Sequence, residues 1–226
     1  MGARDRRRAW YADLRDNDGE IRRRWGANAI RAGVSALAEG CCAWCGGRLE
    51  KGWPVDHFLP KEHFPRLSYC WEDLLPSCHT CNTVRKRTYA PPGLTRDSLV
   101  DPALDPAPGE RVYDPASLLP ALDDRLLDPT VDDPAIHLQF QPALHGYLAL
   151  TQVGTTTAGR MFAERDDAMR WKKLGDHVRW CVNHARSPDD LRVALDELVA
   201  LVGQRFYVEA YAAFWMAMPV AETSVP

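Results

Sequence analysis

Hydrophobic positions recur at helical spacing at both ends of this chain. Residues 5–39 predict one or two helices, with apolar positions at Trp10, Leu14, Ile21, Trp25, Ile30, Val34 and Leu37. The same periodicity returns from about residue 156 to 184. Ser187-Pro188-Asp189-Asp190 then has the features of a helix start: an N-cap serine, proline at the first position and acids in the first turn. A last helix is predicted over residues 204–218, where the aromatic side chains are typical of a core or an interface.

The middle of the chain has a different pattern. Residues 41–88 contain two Cys-x-x-Cys pairs, and residues 90–142 hold ten of the seventeen prolines with little periodicity. The proline-rich stretch predicts an extended connector with a short helix around residues 117–122. We therefore expect a mostly helical α+β protein. Its predicted parts are an N-terminal helical segment (1–40), a cysteine-containing core (41–90), a connector (91–155) and a C-terminal helical region (156–226).

Charge and composition limit the functional classes. The net charge of the 226-residue chain is −3, so a global basic surface for nucleic acid is absent. Arginines are nevertheless concentrated in residues 1–40, at 6–8 and 22–24, where they either hold phosphates or form a solvated helix face. We find no signal peptide and no apolar run of membrane-spanning length. These features predict a cytoplasmic protein without a membrane partner, in which cysteines stay reduced.

The cysteine spacing predicts a structural zinc site. Cys42/Cys45 and Cys78/Cys81 are each separated by two residues, which lets one tight turn present two sulfurs to one ion. The 32 residues between the pairs bury little apolar surface, so the ion is expected to supply much of the folding free energy. A disulfide framework fits a reducing cytoplasm poorly, and a thiol redox site lacks the βαβ pattern that usually surrounds one.

Polar residues between and after the cysteine pairs suggest hydrolytic chemistry. His57 is able to take a proton from water, and the adjacent Asp56 is able to hold a hard divalent ion. Both follow a short apolar run that predicts a strand, so a bulge or loop is expected to bring them to one site. Asn82 can add an oxygen ligand from the start of a helix that begins in the second cysteine pair. Basic residues that can contact phosphate are Lys61, whose alternative is simple exposure, and Arg85, Lys86 and Arg87 on that helix.

The complete pattern resembles a known family. Cys-x-x-Cys, then Asp-His-Phe-x-Pro-Lys, then Trp-x-x-Leu-Leu-x-x-Cys-x-x-Cys-Asn is similar to the HNH (ββα-metal) endonucleases. Within them it is most similar to the PtuB-like branch of bacterial anti-phage systems such as Septu and certain retrons. The resemblance covers residues 41–88. A weaker likeness to the same branch lies at Asp132-Asp133-Pro134-x-x-His137-Leu138-x-Phe140.

The resemblance implies a role for each motif residue. It implies a small zinc-stabilised ββα-metal core in which His57 is the general base and Asp56 and Asn82 bind a catalytic Mg²⁺ or Mn²⁺. Asp73 stands where the family has an asparagine that supports the loop holding the base, and it lacks the amide donor. The four paired cysteines would bind the structural zinc.

The resemblance also implies partners. The substrate would be DNA or RNA, and an ABC/SMC-like ATPase of the PtuA type would act with this chain. This sequence has no nucleotide-binding loop of its own. The alternative function is a catalytically inactive zinc-finger module that binds nucleic acid or protein, which the Asp73 substitution and the modest basic charge favour slightly.

Overall fold

The structure is a computed structural model that describes residues 28–64, 67–68, 70–94, 116, 119–163, 165–202 and 205–218. The predicted helix before residue 28 and both arginine clusters lie outside these residues. The longer elements, in chain order, are α1 (Asn28–Ala36), β1 (Val55–His57), β2 (Leu74–Pro76), a π-helix (Thr80–Lys86), α2 (Pro134–His137), β3 (Leu138–Gln141), β4 (Gly146–Ala149), α3 (Gln152–Met161), α4 (Arg165–His184), α5 (Pro188–Val202) and α6 (Arg205–Ala217). The described fold is therefore α+β and mostly helical, as predicted.

A short antiparallel pair of strands forms the centre of the cysteine-containing core. β1 pairs with β2 in a regular register, with Asp56 opposite Leu75 and His57 opposite Leu74. Of the bulge or loop expected at Asp56 and His57, the bulge is absent from this pair, and His57 is the last residue of the strand, directly before a loop. One face of the pair packs against α1 through Val55 and Leu74. On the other face, Leu75 packs in the core that also contains the cysteines.

The C-terminal region builds a second, aromatic core. The hairpin of β3 and β4 packs against α4 and α6, and the buried members of this core are Phe140, Trp171, Leu174, Val178, Tyr207, Val208, Tyr211 and Ala212. Ser187 Oγ accepts a hydrogen bond from Asp190 N (3.1 Å), so α5 begins as predicted. The hairpin lies in the segment predicted as a connector. The sequence did not predict it, because its two strands have only four residues each and their alternation of apolar and polar residues is weak.

A buried arginine, Arg125, joins the short segment around Leu119 to Asp132, which lies just before α2 and the hairpin. The Arg125 guanidinium pairs with Asp132 through two nitrogens, one of them Nη2 at 2.9 Å from Oδ1. It also donates to the carbonyl oxygens of Leu119 (2.9 Å) and Leu126 (3.1 Å). Asp133 caps α2 by accepting from Ala135 N (2.9 Å). The stretch from Asp132 to Phe140 therefore forms local structure in this fold.

Contacts between the two cores hold the C-terminal helices against the cysteine segment. Met161, the last residue of α3, is fully buried in the core that contains the cysteines. Arg48 Nε donates to Ala200 O (3.1 Å), and the Arg160 guanidinium lies 4.5 Å from the ring centre of Tyr89. Within the described part of the chain, no helix has the length and apolar character of a membrane span.

Candidate active site

The four paired cysteines come together as predicted. The Sγ atoms of Cys42, Cys45, Cys78 and Cys81 all lie within 4.8 Å of one another, and those of Cys45 and Cys78 are 4.0 Å apart. A tetrahedral zinc with Zn–S bonds of about 2.3 Å requires sulfurs roughly 3.8 Å apart. Hydrogen bonds among the four thiols lower the pKa of Cys45 and of Cys78 and raise the pKa of Cys42 and of Cys81. The cluster is therefore able to hold a zinc ion.

Local backbone geometry presents the first two sulfurs. The chain reverses after Cys42, whose N–H donates to Gly47 O (2.8 Å) while Gly46 N donates to Cys42 O (2.9 Å). Gly46 has φ +67°, a left-handed conformation that a side chain would strain. In the second pair, Cys81 N lies 3.4 Å from Cys78 Sγ at the start of the π-helix. Each Cys-x-x-Cys is thus a tight turn, as the spacing predicts.

A cleft of about 500 Å³ lies beside the cysteine cluster. One wall follows β1 and the segment after it, and the other follows the π-helix. The lining residues are Pro54, Val55, Asp56, His57, Pro60, Lys61, Glu62, Asn82, Thr83, Lys86, Arg87 and Thr88. The structure therefore brings the predicted base and both predicted metal ligands to the same cleft, although Asn82 is 25 residues from His57 along the chain.

His57 is held in a defined protonation state. The residue is only 5% exposed, and its Nε2 lies 3.0 Å from Ser68 O. A carbonyl oxygen only accepts hydrogen bonds, so Nε2 carries the proton and Nδ1 keeps its lone pair. Burial lowers the pKa of His57 to about 4. At neutral pH the imidazole is therefore neutral and has one nitrogen able to accept a proton.

Both carboxylate oxygens of Asp56 are hydrogen-bonded. Trp44, which stands between Cys42 and Cys45, donates its indole N–H to Asp56 Oδ2 (2.9 Å). Lys86 Nζ lies 3.0 Å from Asp56 Oδ1 and 2.5 Å from His57 O. Asp56 is 2% exposed and Lys86 is 1% exposed, so this is a buried ion pair in the wall of the cleft.

Asp73 supports the segment that follows the strand. Its Oδ1 accepts a hydrogen bond from Leu59 N (2.7 Å), and its backbone oxygen accepts from Phe58 N (2.7 Å). Burial raises the pKa of Asp73 well above its usual range. The side chain acts here as an acceptor, and an asparagine carbonyl could make the same bond. The aspartate therefore loses nothing at this contact.

The four basic residues predicted to contact phosphate fall into two groups. Arg85 and Lys86 are buried, and Arg85 Nη1 lies 3.9 Å from Cys81 Sγ. Arg87 is exposed at the end of the π-helix, and Lys61 is half-buried at the rim, with Nζ 2.6 Å from Glu62 Oε1. The Arg87 N–H donates to Asn82 O (2.8 Å), a bond from residue i+5 to residue i that is typical of a π-helix. With that spacing Asn82 and Lys86 lie about one turn apart, and both line the cleft.

Two residues that hold this site, Trp44 and Ser68, were not singled out from the sequence. Trp44 carries an indole donor between two cysteines, but its spacing identifies no acceptor. Ser68 contributes a backbone oxygen, which has no sequence signal at all. The only available hint was the residue type at position 44, since a buried tryptophan usually finds a partner for its N–H.

Comparison with known proteins adds one relative. The chain is 34% identical over 85 residues to "Septu protein PtuB" of Bacillus thuringiensis, a match that covers 36% of this chain and 30% of the relative. The chain thus spans less than a third of the length of that protein. No protein-family model matches the chain, and no solved structure matches it. The resemblance to PtuB-like proteins is confirmed, and over the matched stretch this chain is a relative of Septu protein PtuB.

Proposed function

We propose that this chain is a metal-dependent HNH endonuclease that hydrolyses phosphodiester bonds of DNA or RNA. The observation that carries the proposal is the cleft shared by Asp56, His57 and Asn82 next to a four-cysteine cluster. The order of elements around it, two antiparallel strands and then a helix, is compatible with a ββα-metal core. Zinc at the cysteines would stabilise this core.

His57 is the general base in this proposal. Its Nδ1 takes the proton of the attacking water, while the Nε2–H bond to Ser68 O keeps the ring in one tautomer. Asp73 acts one step further away, because its bond to Leu59 N holds the backbone that follows His57. The low pKa of His57 keeps the base unprotonated through the neutral range.

Asp56 and Asn82 provide oxygen donors that suit Mg²⁺ or Mn²⁺. When bound, such an ion stabilises the negative charge that develops on the phosphate and the leaving oxygen. Lys61 and Arg87 are the basic residues best placed to contact neighbouring phosphates, because Arg85 and Lys86 are buried in contacts of their own. In this proposal the cleft combines a base, two metal ligands and two basic residues at its edge, Lys61 and Arg87.

The relative suggests the biological setting. Because the matched protein is a Septu protein, we propose that this chain is the nuclease of an anti-phage defence complex. An ABC/SMC-like ATPase of the PtuA type would then control it.

The test is cleavage of plasmid DNA and of bulk RNA with Mg²⁺ or Mn²⁺. Wild type should cut at least one polymer, and His57→Ala should lose activity on the order of 10²-fold or more. His177→Ala, an exposed histidine on α4, is the matched control and should cut like wild type. Zinc content is measured in all three proteins, so that loss of the fold is not mistaken for loss of the base.

One observation favours the alternative of a silent zinc module. The charge of Asp56 is already compensated by Lys86, so the cleft has less attraction for a divalent ion than its ligands alone suggest. If wild type cuts neither polymer, even with the ATPase partner present, the module that only binds nucleic acid or protein becomes the better assignment.

A further inference from the structure

Lys86 occupies an unusual place for a lysine. Its ammonium is almost fully buried, and it contacts a carboxylate oxygen of Asp56 (3.0 Å) and the backbone oxygen of His57 (2.5 Å). A buried ammonium is costly unless it is paired. Here the pairing partner is the residue proposed as a ligand of the catalytic ion.

The oxygen contacts of Lys86 are those that a hard cation would also seek. Divalent ions of this class bind carboxylate and backbone carbonyl oxygens. The second carboxylate oxygen of Asp56 is bonded to the neutral indole N–H of Trp44, which contributes no positive charge. The ammonium of Lys86 therefore supplies the positive charge opposite Asp56.

We propose that Lys86 competes with the divalent ion for Asp56 and thereby sets the cation affinity of the cleft. This inference rests on the proposed function, in which Asp56 is a metal ligand. An ion on Asp56 and an ammonium 3.0 Å from the same carboxylate repel each other. Lys86 lines the cleft, and the lysine stem has enough rotatable bonds to move its ammonium off Asp56. Ion binding is then coupled to displacement of Lys86.

The experiment measures Mn²⁺ affinity of the full, zinc-loaded chain by electron paramagnetic resonance of free Mn²⁺. Lys86→Met removes the charge and should tighten Mn²⁺ binding on the order of tenfold, the lower end of effects for residues next to a metal site. Lys86→Gln is the second variant in case the methionine variant does not fold. It keeps a hydrogen-bond donor near Asp56 and should tighten binding in the same direction.

Lys172→Met is the matched control. Lys172 pairs with Asp176 at 2.8 Å on the exposed surface of α4 and does not line the cleft. Its replacement therefore changes the net charge by the same amount without altering the cleft. Its Mn²⁺ affinity should equal that of wild type. Adding Asp56→Asn to Lys86→Met should abolish the gain, which assigns the extra affinity to Asp56.

The outcomes separate the two proposals. A folded, zinc-containing Lys86 variant whose Mn²⁺ affinity is within twofold of that of wild type would reject the proposal that Lys86 competes with the ion. The proposal of a catalytic metal ion would be unaffected. A gain that survives Asp56→Asn also overturns the competition. If wild type and the Lys86 variants all fail to bind Mn²⁺, the competition and the metal-dependent mechanism both fail.

Discussion

The buried pair Asp56–Lys86 and the partly buried pair Asp132–Arg125 combine the same charges in different ways. Arg125 makes two bonds to Asp132 and two more to backbone carbonyls, so the planar guanidinium is held from several directions. Lys86 makes one bond to Asp56 and one to the backbone oxygen of His57, with a single point charge in the wall of a cleft. An arginine fork surrounded by backbone is suited to fixing a turn, whereas a single lysine ammonium in the wall of a cleft can be replaced by another cation. Burial alone therefore does not tell whether a pair serves structure or function.

The largest effect is expected from breaking the arginine pair. Arg125→Met leaves two carbonyl oxygens without their donor and Asp132 with only the Asp128 N–H (2.7 Å), and should lower the free energy of unfolding by about 3–5 kcal/mol. The measurement is urea unfolding. Arg192→Met is the control, because Arg192 and Asp189 form an exposed pair (3.6 Å) whose loss should cost less than about 0.5 kcal/mol. A loss below about 1 kcal/mol for Arg125→Met would contradict the structural role.

A smaller loss in the free energy of unfolding, which a bound metal ion can reverse, is expected when the Asp56–Lys86 pair is broken. Lys86→Met leaves the buried Asp56 carboxylate with the Trp44 donor and should cost about 3 kcal/mol, the lower end for a broken buried ion pair because that bond remains. Mn²⁺ at roughly 100 times its dissociation constant from Lys86→Met should raise the free energy of unfolding of that variant by about 2.7 kcal/mol. Urea unfolding with and without Mn²⁺ checks this, and Arg125→Met should gain no more from the ion than wild type does. Equal gains for all three proteins would remove the distinction between the pairs.

The neutral partner of Asp56 is expected to matter less. Trp44→Phe removes the indole donor, so it should cost about 1–2 kcal/mol while the cysteines still bind zinc. The aromatic contact with Phe58, at 6.2 Å between ring centres, can persist. Zinc content and urea unfolding are measured beside Trp180→Phe, an exposed tryptophan that should change neither. Loss of zinc in the Trp44 variant would show that the indole supports the cluster rather than Asp56.

The smallest effect is a pH dependence of the arginine pair. Burial opposes ionisation of Asp132, but hydrogen bonds from Arg125 outweigh it and hold the pKa of Asp132 below its usual range. Since the folded pKa is depressed, the stabilisation is present above about pH 4 and is lost as the pH falls through the folded value. The stability difference between wild type and Asp132→Asn, followed by urea unfolding at pH 7, 5 and 3.5, should therefore shrink only at the lowest pH. A difference that is already reduced at pH 5 would contradict this assignment.

Local patterns predicted the features that depend on near neighbours. The two cysteine turns, the serine cap of α5 and the helical C-terminal region all follow from spacings of a few residues. The β3–β4 hairpin did not follow, since its strands are short and its stabilisation comes from Phe140 packing against α4 and α6. The burial of Arg85 and Lys86 did not follow from the sequence either, for a related reason. Basic residues after a cysteine pair look solvated in sequence, and only packing buried them.

The sequence by itself determined the chemistry available to this protein: four sulfurs able to hold a zinc ion, a histidine beside a carboxylate and a carboxamide after the last cysteine. It also carried the relationship to Septu protein PtuB. The tertiary structure alone decided that Trp44 and Lys86 hold Asp56, and that Ser68 orients His57. Those partners are 11 to 30 residues apart along the chain. At such separations the partner of a polar group is chosen by how the strands and the π-helix pack, which residue spacing does not encode.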